Sequence, residues 1–265
     1  MPRRYAPGNC RADRSGRGML ERMTEPDAPS TARMIDYWLG GSDHLPVDVA
    51  AAQAFESAYG PCADIFRSLR AFSGRAVRHL AAEGIDRFLV FGAGIPTQGN
   101  VHENAPGARV LYTDIDPHIV AAGGRLVAGL PDVGYTLGDA TDLAGIDPEA
   151  RDRVLDGRPV GLVFLGLAAF LDDPTLARAL DAMHDAVPDG SRLAFDFDST
   201  ELEAFPQALA MMGPGFHMRA PDRFADLLGR WSTTSDGIVP VALWRPDADP
   251  EQVPDAFWGG LATKP

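Results

Sequence analysis

The chain is short of several things at once. Cysteine occurs twice, at Cys10 and Cys62, too few and too far apart for a disulfide framework or a zinc site. Six histidines, at 44, 79, 102, 118, 184 and 217, show neither metalloprotease nor finger spacing, so no metal is expected. The longest largely apolar stretch, 159–171, covers 13 residues; a membrane span needs roughly 18–20, and this one reads as a buried strand running into a turn. The N-terminus has arginines but no apolar segment behind them, so no secretory signal is expected and a reducing cytoplasm is the default. Positive charge is scarce as well. Against 37 acidic residues stand 24 basic ones, of which only Lys264 is lysine, for a net charge of −13. That is the wrong sign for a nucleic-acid binder, which needs a basic face to displace counterions from phosphates. A small cationic ligand stays compatible with it.

What is present is ordinary for a globular protein. With 265 residues, 45% hydrophobic and 23% charged, the chain can bury one sizeable α/β core, and disorder throughout is excluded. Residues 1–29 are rich in Arg, Gly and Pro without periodicity and read as a disordered tail. Residues 30–84 read as a helical cap. Ser30 can cap a helix over 31–39 that stops at Gly40-Gly41, Pro46 opens a second to about residue 58, and a third spans 63–83. Its apolar face is Ile65, Phe66, Leu69, Phe72, Ala76, Val77 and Leu80, with Gly84 as its stop. In residues 85–265, apolar runs at 87–91, 109–113, 133–137, 159–166 and 191–197 alternate with helical stretches at 117–129, 149–156 and 174–187. A helix near 221–228 and a last strand near 238–244 follow. The pattern predicts a doubly wound, mostly parallel, seven-stranded Rossmann-like sheet with an N-terminal helical cap.

In such sheets ligands bind beyond the carboxyl ends of the strands. After the first strand comes Gly92-Ala93-Gly94-Ile95-Pro96, where two glycines allow a sharp turn and close backbone approach. The stretch lacks the third glycine of the dinucleotide fingerprint, so taken alone it also reads as a tight βα turn. Asp114, at the end of the second strand and twenty residues past Gly94, suits a ribose. Asp116 before Pro117 is assigned to the N-cap of the next helix. After the third strand, Gly138-Asp139-Ala140 offers an acceptor for an adenine amino group. Three such features at three consecutive strand ends weigh more than any one of them.

With these stretches the sequence resembles the class I S-adenosylmethionine (SAM)-dependent methyltransferases, and within them a bacterial family first catalogued as a domain of unknown function. The matching segments are STARMIDYWLGGS (30–42), FLVFGAGIPTQGNVHE (88–103), ARVLYTDIDP (108–117) and Trp244-Arg245-Pro246. The resemblance covers about 30–246. It implies SAM held by Gly92, Ala93 and Gly94, Asp114 on the ribose, Asp139 with Ala140 at the adenine, and Ile115 and Gly166 at neighbouring strand ends. Tyr37 and the Gly40-Gly41 joint should close over the methionine half. The family's usual start falls near Met23, so residues 1–22 are expected to be an upstream extension of the reading frame, which an intact mass of native protein starting at Met1 would contradict. Removing that stretch, which carries +4, leaves −17 on the remainder.

Four positions depart from the pattern. Val90 stands where class I enzymes carry an acid, Ala168-Ala169-Phe170 where the family reads Leu-His-Phe, Asp196-Phe197-Asp198 where it reads Ser-His, and His44 where it often has Asn. Together they remodel the rim where a methyl acceptor would lie. Candidate bases are His44, Asp196, Asp198 and Tyr37, His44 having a suitable unperturbed pKa and Asp196 needing burial to become effective. His79, His118 and His184 fall in helical stretches and suit surface or packing roles, and His217 lies in a loop without an assigned place. His102 and Glu103 suit a helix start as well as catalysis, and Asp43 and Asp48 a helix dipole.

Three functions remain open on this reading. The first is transfer of the SAM methyl to a small-molecule O, N or C nucleophile, where the protein supplies alignment, desolvation and a base. The second keeps SAM as sole substrate: internal attack on its methionine Cγ releases methylthioadenosine and forms a cyclopropane or azetidine amino acid. The third is a SAM-binding module without turnover, which the loss of the acid at Val90 favours. A nucleic-acid or membrane partner is not expected, and the oligomeric state is not legible.

Overall fold

A computed structural model describes residues 28–249 and 253–265. The tail expected over 1–29 and the extension expected over 1–22 lie, apart from residues 28 and 29, outside the described residues. Among the described residues three helices come first: α1 (Thr31–Trp38), α2 (Pro46–Tyr59) and α3 (Cys62–Ala82). Then strands and helices alternate through β1 (Arg87–Phe91), α4 (Val101–Asn104), β2 (Arg109–Asp114), α5 (Pro117–Leu126), β3 (Val133–Leu137), α6 (Pro148–Asp152), β4 (Gly161–Phe164), α7 (Asp173–Ala186) and β5 (Arg192–Asp198). The chain ends with α8 (Pro206–Met212), α9 (Pro221–Leu227), β6 (Ser232–Thr233), β7 (Val239–Pro240) and β8 (Phe257–Thr263). No helix among the described residues is long and apolar enough to cross a membrane.

The sheet order is β3-β2-β1-β4-β5-β8-β6, with β7 also on β8. Strands β1 to β5 are parallel, and β8 runs antiparallel to β5 from Arg192↔Thr263 to Asp198↔Phe257. The chain steps outward from β1 through β2 to β3, then returns to add β4 on the other side of β1. That reversal opens a crevice above the carboxyl ends of β1 and β4. One face of the sheet is covered by α7 and α9, through Leu176, Leu180, Met183 and Phe224 on Leu162, Phe164, Phe195 and Phe197. The other is covered by α3, whose Ile65, Leu69, Phe72, Val77 and Leu80 pack on Phe88, Val90, Val110 and Val163. The helix expected as part of the cap is thus one of the layers of the α/β unit. A small cluster of Trp38, Ala52 and Cys62 joins α1 and α2 to the start of α3.

The last strand is where sequence and structure part. Over the expected 238–244, only Val239–Pro240 pair with β8 before a tight turn at Val241–Leu243. Pro240 has no N–H to continue a ladder. The carbonyls that follow go to buried Arg75 instead, whose Nε donates to Trp244 O at 2.8 Å and Nη2 to Val241 O at 2.6 Å. The long final strand is Phe-Trp-Gly-Gly-Leu-Ala-Thr, in which two adjacent glycines read as turn punctuation. Here they let strands approach: a Cβ on Gly259 would collide with Phe195 O.

Candidate functional site

The Gly92–Gly94 turn is built by its neighbours. Gly92 and Gly94 have φ of +53° and +63°, and a Cβ on Gly92 would strike the Leu167 side chain. Ala93 N donates to Thr113 O at 2.9 Å. Gly94 N donates to Asp114 Oδ2 at 3.0 Å, and Gly94 O accepts from Tyr135 Oη at 2.7 Å. Tyr135 stacks on Tyr112, whose hydroxyl bonds His102 Nδ1 at 2.8 Å. His102 therefore braces the loop through a phenol. Glu103 caps α4 through Asn100 N at 2.9 Å, the helix-start role open to it from the sequence. Asp114 Oδ1 accepts from Asp116 N at 3.0 Å, and burial raises the Asp114 carboxyl above its usual range. Asp116 caps α5, accepting from His118 N at 2.8 Å.

Above this turn lies a cavity of about 710 Å³. Its wall contains Gly92, Ala93, Gly94, Asp114, Ile115, Asp139, Ala140 and Gly166, from the ends of β1 to β4. Asp139 also accepts from Thr141 N at 2.8 Å, which fixes its turn. The cavity continues past β4 and β5 to Phe170, Met212, Phe216, His217, Phe257 and Asp198. Phe170 is thus a wall residue, while Trp38 is packed, stacked on Phe66 at 5.1 Å. Wall residues with no sequence signal include Arg70, on what looked like the polar side of α3, and His217, tied to the β4 loop by its N–H on Ala169 O at 2.8 Å. Burial lowers the Arg70 guanidinium pKa, against Tyr112 and Tyr135.

Tyr37, Gly40 and His44 are not in that wall; Ser30, Thr31, Ala32 and Ile35 are. The cap therefore meets the cavity with the first turn of α1, opposite to the expected glycine joint. The reason is a hub at Asp36, which is 2% exposed. Its Oδ1 accepts from Thr97 Oγ1 at 2.6 Å, and its Oδ2 from Asp43 N at 2.9 Å and His44 Nδ1 at 3.0 Å. Gln98 Nε2 donates to Leu39 O at 2.7 Å. The joint and His44 are drawn onto the 96–100 segment, and Tyr37 turns to Gln53 Nε2 at 3.2 Å and to the His44 ring at 5.3 Å. The DYWLGG and PTQGN stretches are bonded to each other.

Asp196 is likewise not a wall residue. It is fully buried, its Oδ1 accepts from Gly166 N at 2.6 Å, and its Oδ2 has no partner among the described residues. Alternation along β5 puts Asp196 and Asp198 on one face, and only Asp198, at the strand end, reaches the cavity. Asp196 braces the β4 loop; Asp198 is the carboxyl a ligand can meet. Burial raises Asp198 from 3.8 to about 7, with Arg219 opposing; buried Asp196 and Tyr59 are its other titratable neighbours. Raising a carboxyl's pKa on folding costs stability increasingly as pH rises through the window in which the unfolded chain ionises and the folded one does not. The penalty is absent below about pH 4, grows to about pH 7 and is constant above. Asp198→Asn should therefore melt at a higher temperature than the wild type near pH ~8, with the difference vanishing near pH ~4. A pH-independent offset between the melting curves would contradict this.

A family model described as S-adenosyl methyltransferase matches residues 18–265. Among solved structures, a DUF574 family protein from Streptomyces avermitilis is 31% identical with a TM-score of 0.80, the match covering 90% of this chain and 98% of that one. A candidate methyltransferase from Thermobifida fusca is 29% identical with a TM-score of 0.82, covering 91% and 97%. Magnesium protoporphyrin IX methyltransferase from Synechocystis, solved with bound S-adenosylhomocysteine (SAH), is 14% identical with a TM-score of 0.56, covering 88% and 93%; at that identity the likeness is one of fold. No curated protein matches the chain.

Proposed function

The chain belongs to the S-adenosyl methyltransferase family, and on that premise we propose that it moves the methyl group of SAM to a small-molecule nucleophile held at the β4–β5 end of the cavity. The residues fit the cofactor. A turn with two positive-φ glycines leaves backbone room for it, and Asp114 has a second lone pair on each oxygen for the ribose hydroxyls. Ile115, 38% exposed, offers an apolar face beside the adenine, with Asp139 and Ala140 at its edge. Arg70 and the first turn of α1, whose N-cap Ser30 makes no side-chain cap bond among the described residues, offer a cation and backbone N–H groups to the amino-acid carboxylate. When bound, SAM supplies an electrophilic methyl on a sulfonium, and the acidic wall suits that charge. The chain's own part is to orient the acceptor, exclude water and take its proton. In this reading α1 and α2 are the cap, and α3 belongs with the α/β unit.

One observation carries the proposal. The cavity that holds the cofactor residues runs on past β4 and β5, leaving room for a second molecule. Internal cyclisation of SAM would need no such room. The test is to incubate the protein with SAM, alone and with pooled small-molecule nucleophiles, and follow SAH and methylthioadenosine by mass spectrometry. SAH appearing only with an acceptor is expected. Methylthioadenosine above the spontaneous rate would replace transfer by cyclisation, and binding without either product would leave a SAM-binding module.

A further inference from the structure

The far half of the cavity narrows the acceptor, an inference that rests on the function proposed above. Its walls are aromatic: Phe66 of α3 lies 5.5 Å from Phe257 of β8, and Phe170 lies 6.2 Å from Phe216, edge to face. Asp198 faces this space from the end of β5. Its main-chain oxygen accepts from Arg219 N at 2.9 Å, but no side chain among the described residues bonds its carboxylate. The nearest cation is already engaged: Arg219 Nε is on Asp173 Oδ1 at 2.8 Å, and Nη1 is on Ala168 O at 2.8 Å and His217 O at 3.2 Å. Arg70 lies against Tyr112 and Tyr135.

A half-buried carboxylate to which no side chain is bonded is costly, and the open partner position matches a ligand's cation framed by ring faces. We propose that the methyl acceptor is a primary or secondary amine on an aromatic or other apolar body, its nitrogen held by Asp198. The bound ammonium first passes a proton to the Asp198 carboxylate. The neutral nitrogen's lone pair then forms the new N–C bond as the methyl–sulfur bond breaks, its pair staying on sulfur. The methylated amine leaves as an ammonium while Asp198 returns its proton to water. A carboxylic acid or phenolate acceptor would set a second negative charge against Asp198, and an alcohol would leave that charge unanswered.

The test is binding, read by calorimetry on protein saturated with SAH. The probes are phenethylamine, tyramine and tryptamine, each with its alcohol and carboxylic acid counterpart. At least one amine should bind roughly tenfold or more tighter than its alcohol, with the acid weakest. Asp198→Asn should abolish that preference while leaving SAH affinity within about twofold, which also shows that the variant is folded. An alcohol or acid binding as well as its amine, no amine binding, or the preference surviving in Asp198→Asn overturns the proposal. If SAH itself fails to bind the wild type, the function proposed above fails first.

Discussion

Replacing Asp48 with alanine is expected to destabilise the cap by about 3–5 kcal/mol, the usual result of stranding one partner of a buried ion pair. Asp48 is completely buried. Its Oδ1 accepts from Ser30 N at 2.8 Å, and its Oδ2 from Arg33 Nε and Leu45 N, both at 2.7 Å. A helix-dipole role, the reading available from the sequence, understates this. The carboxylate joins the start of α1 to the start of α2 and neutralises an arginine whose side chain is only 7% exposed. Without it Arg33 keeps Ala28 O at 2.6 Å but loses its counter-charge, and two N–H groups lose their acceptor. Because α1 and α2 pack through a small cluster at the start of α3, distinct from the two clusters that cover the sheet, the loss should appear locally. Hydrogen exchange should accelerate across 30–59 while the amides of β1, β4 and β5 stay protected. Unchanged exchange in the cap would show that Asp48 does not hold it.

Asp114→Ala is expected to weaken SAH binding by about 1–3 kcal/mol, or roughly 5- to 150-fold, through lost charge-assisted hydrogen bonds. Two effects act together. The ribose hydroxyls lose their acceptor, and Gly94 N and Asp116 N, bound to that carboxylate at 3.0 Å each, are released, so the turn loosens. Asp114→Asn separates them, because its amide oxygen can still accept one N–H without the charge. Calorimetry should place it between wild type and Asp114→Ala. Equal affinity in all three proteins would remove Asp114 from the ribose.

Much of this was legible because strands buried on both faces read as continuous apolar runs. Phe88–Phe91, Val110–Tyr112 and Leu162–Phe164 each announce a parallel strand, and the residues at their ends then locate the crevice by topology. Residues whose role depends on a distant partner were not legible. Arg70 looks like the solvent side of an amphipathic helix until α3 lies along the glycine turn. His217 has no periodicity around it and acquires a place only through Ala169. Asp196 and Asp198 are equivalent in sequence, and only the length of β5 decides which one meets the cavity. Tyr37 and Gly40 sit in a motif stretch, with His44 just after it, and the bonds of that stretch to Thr97 and Gln98 hold the cap on rather than form the cavity wall. The glycines of β8 hid a strand because close backbone approach and turn formation ask for the same residue.

A crystal structure of the protein with SAH would locate the cofactor directly. The ligand should lie in the cavity above β1 and β4, its ribose hydroxyls on Asp114, its adenine between Ile115 and Asp139-Ala140, its carboxylate at Arg70, and its sulfur facing the space before Asp198. A ligand bound elsewhere, or one whose ribose leaves Asp114 uncontacted, would contradict this placement.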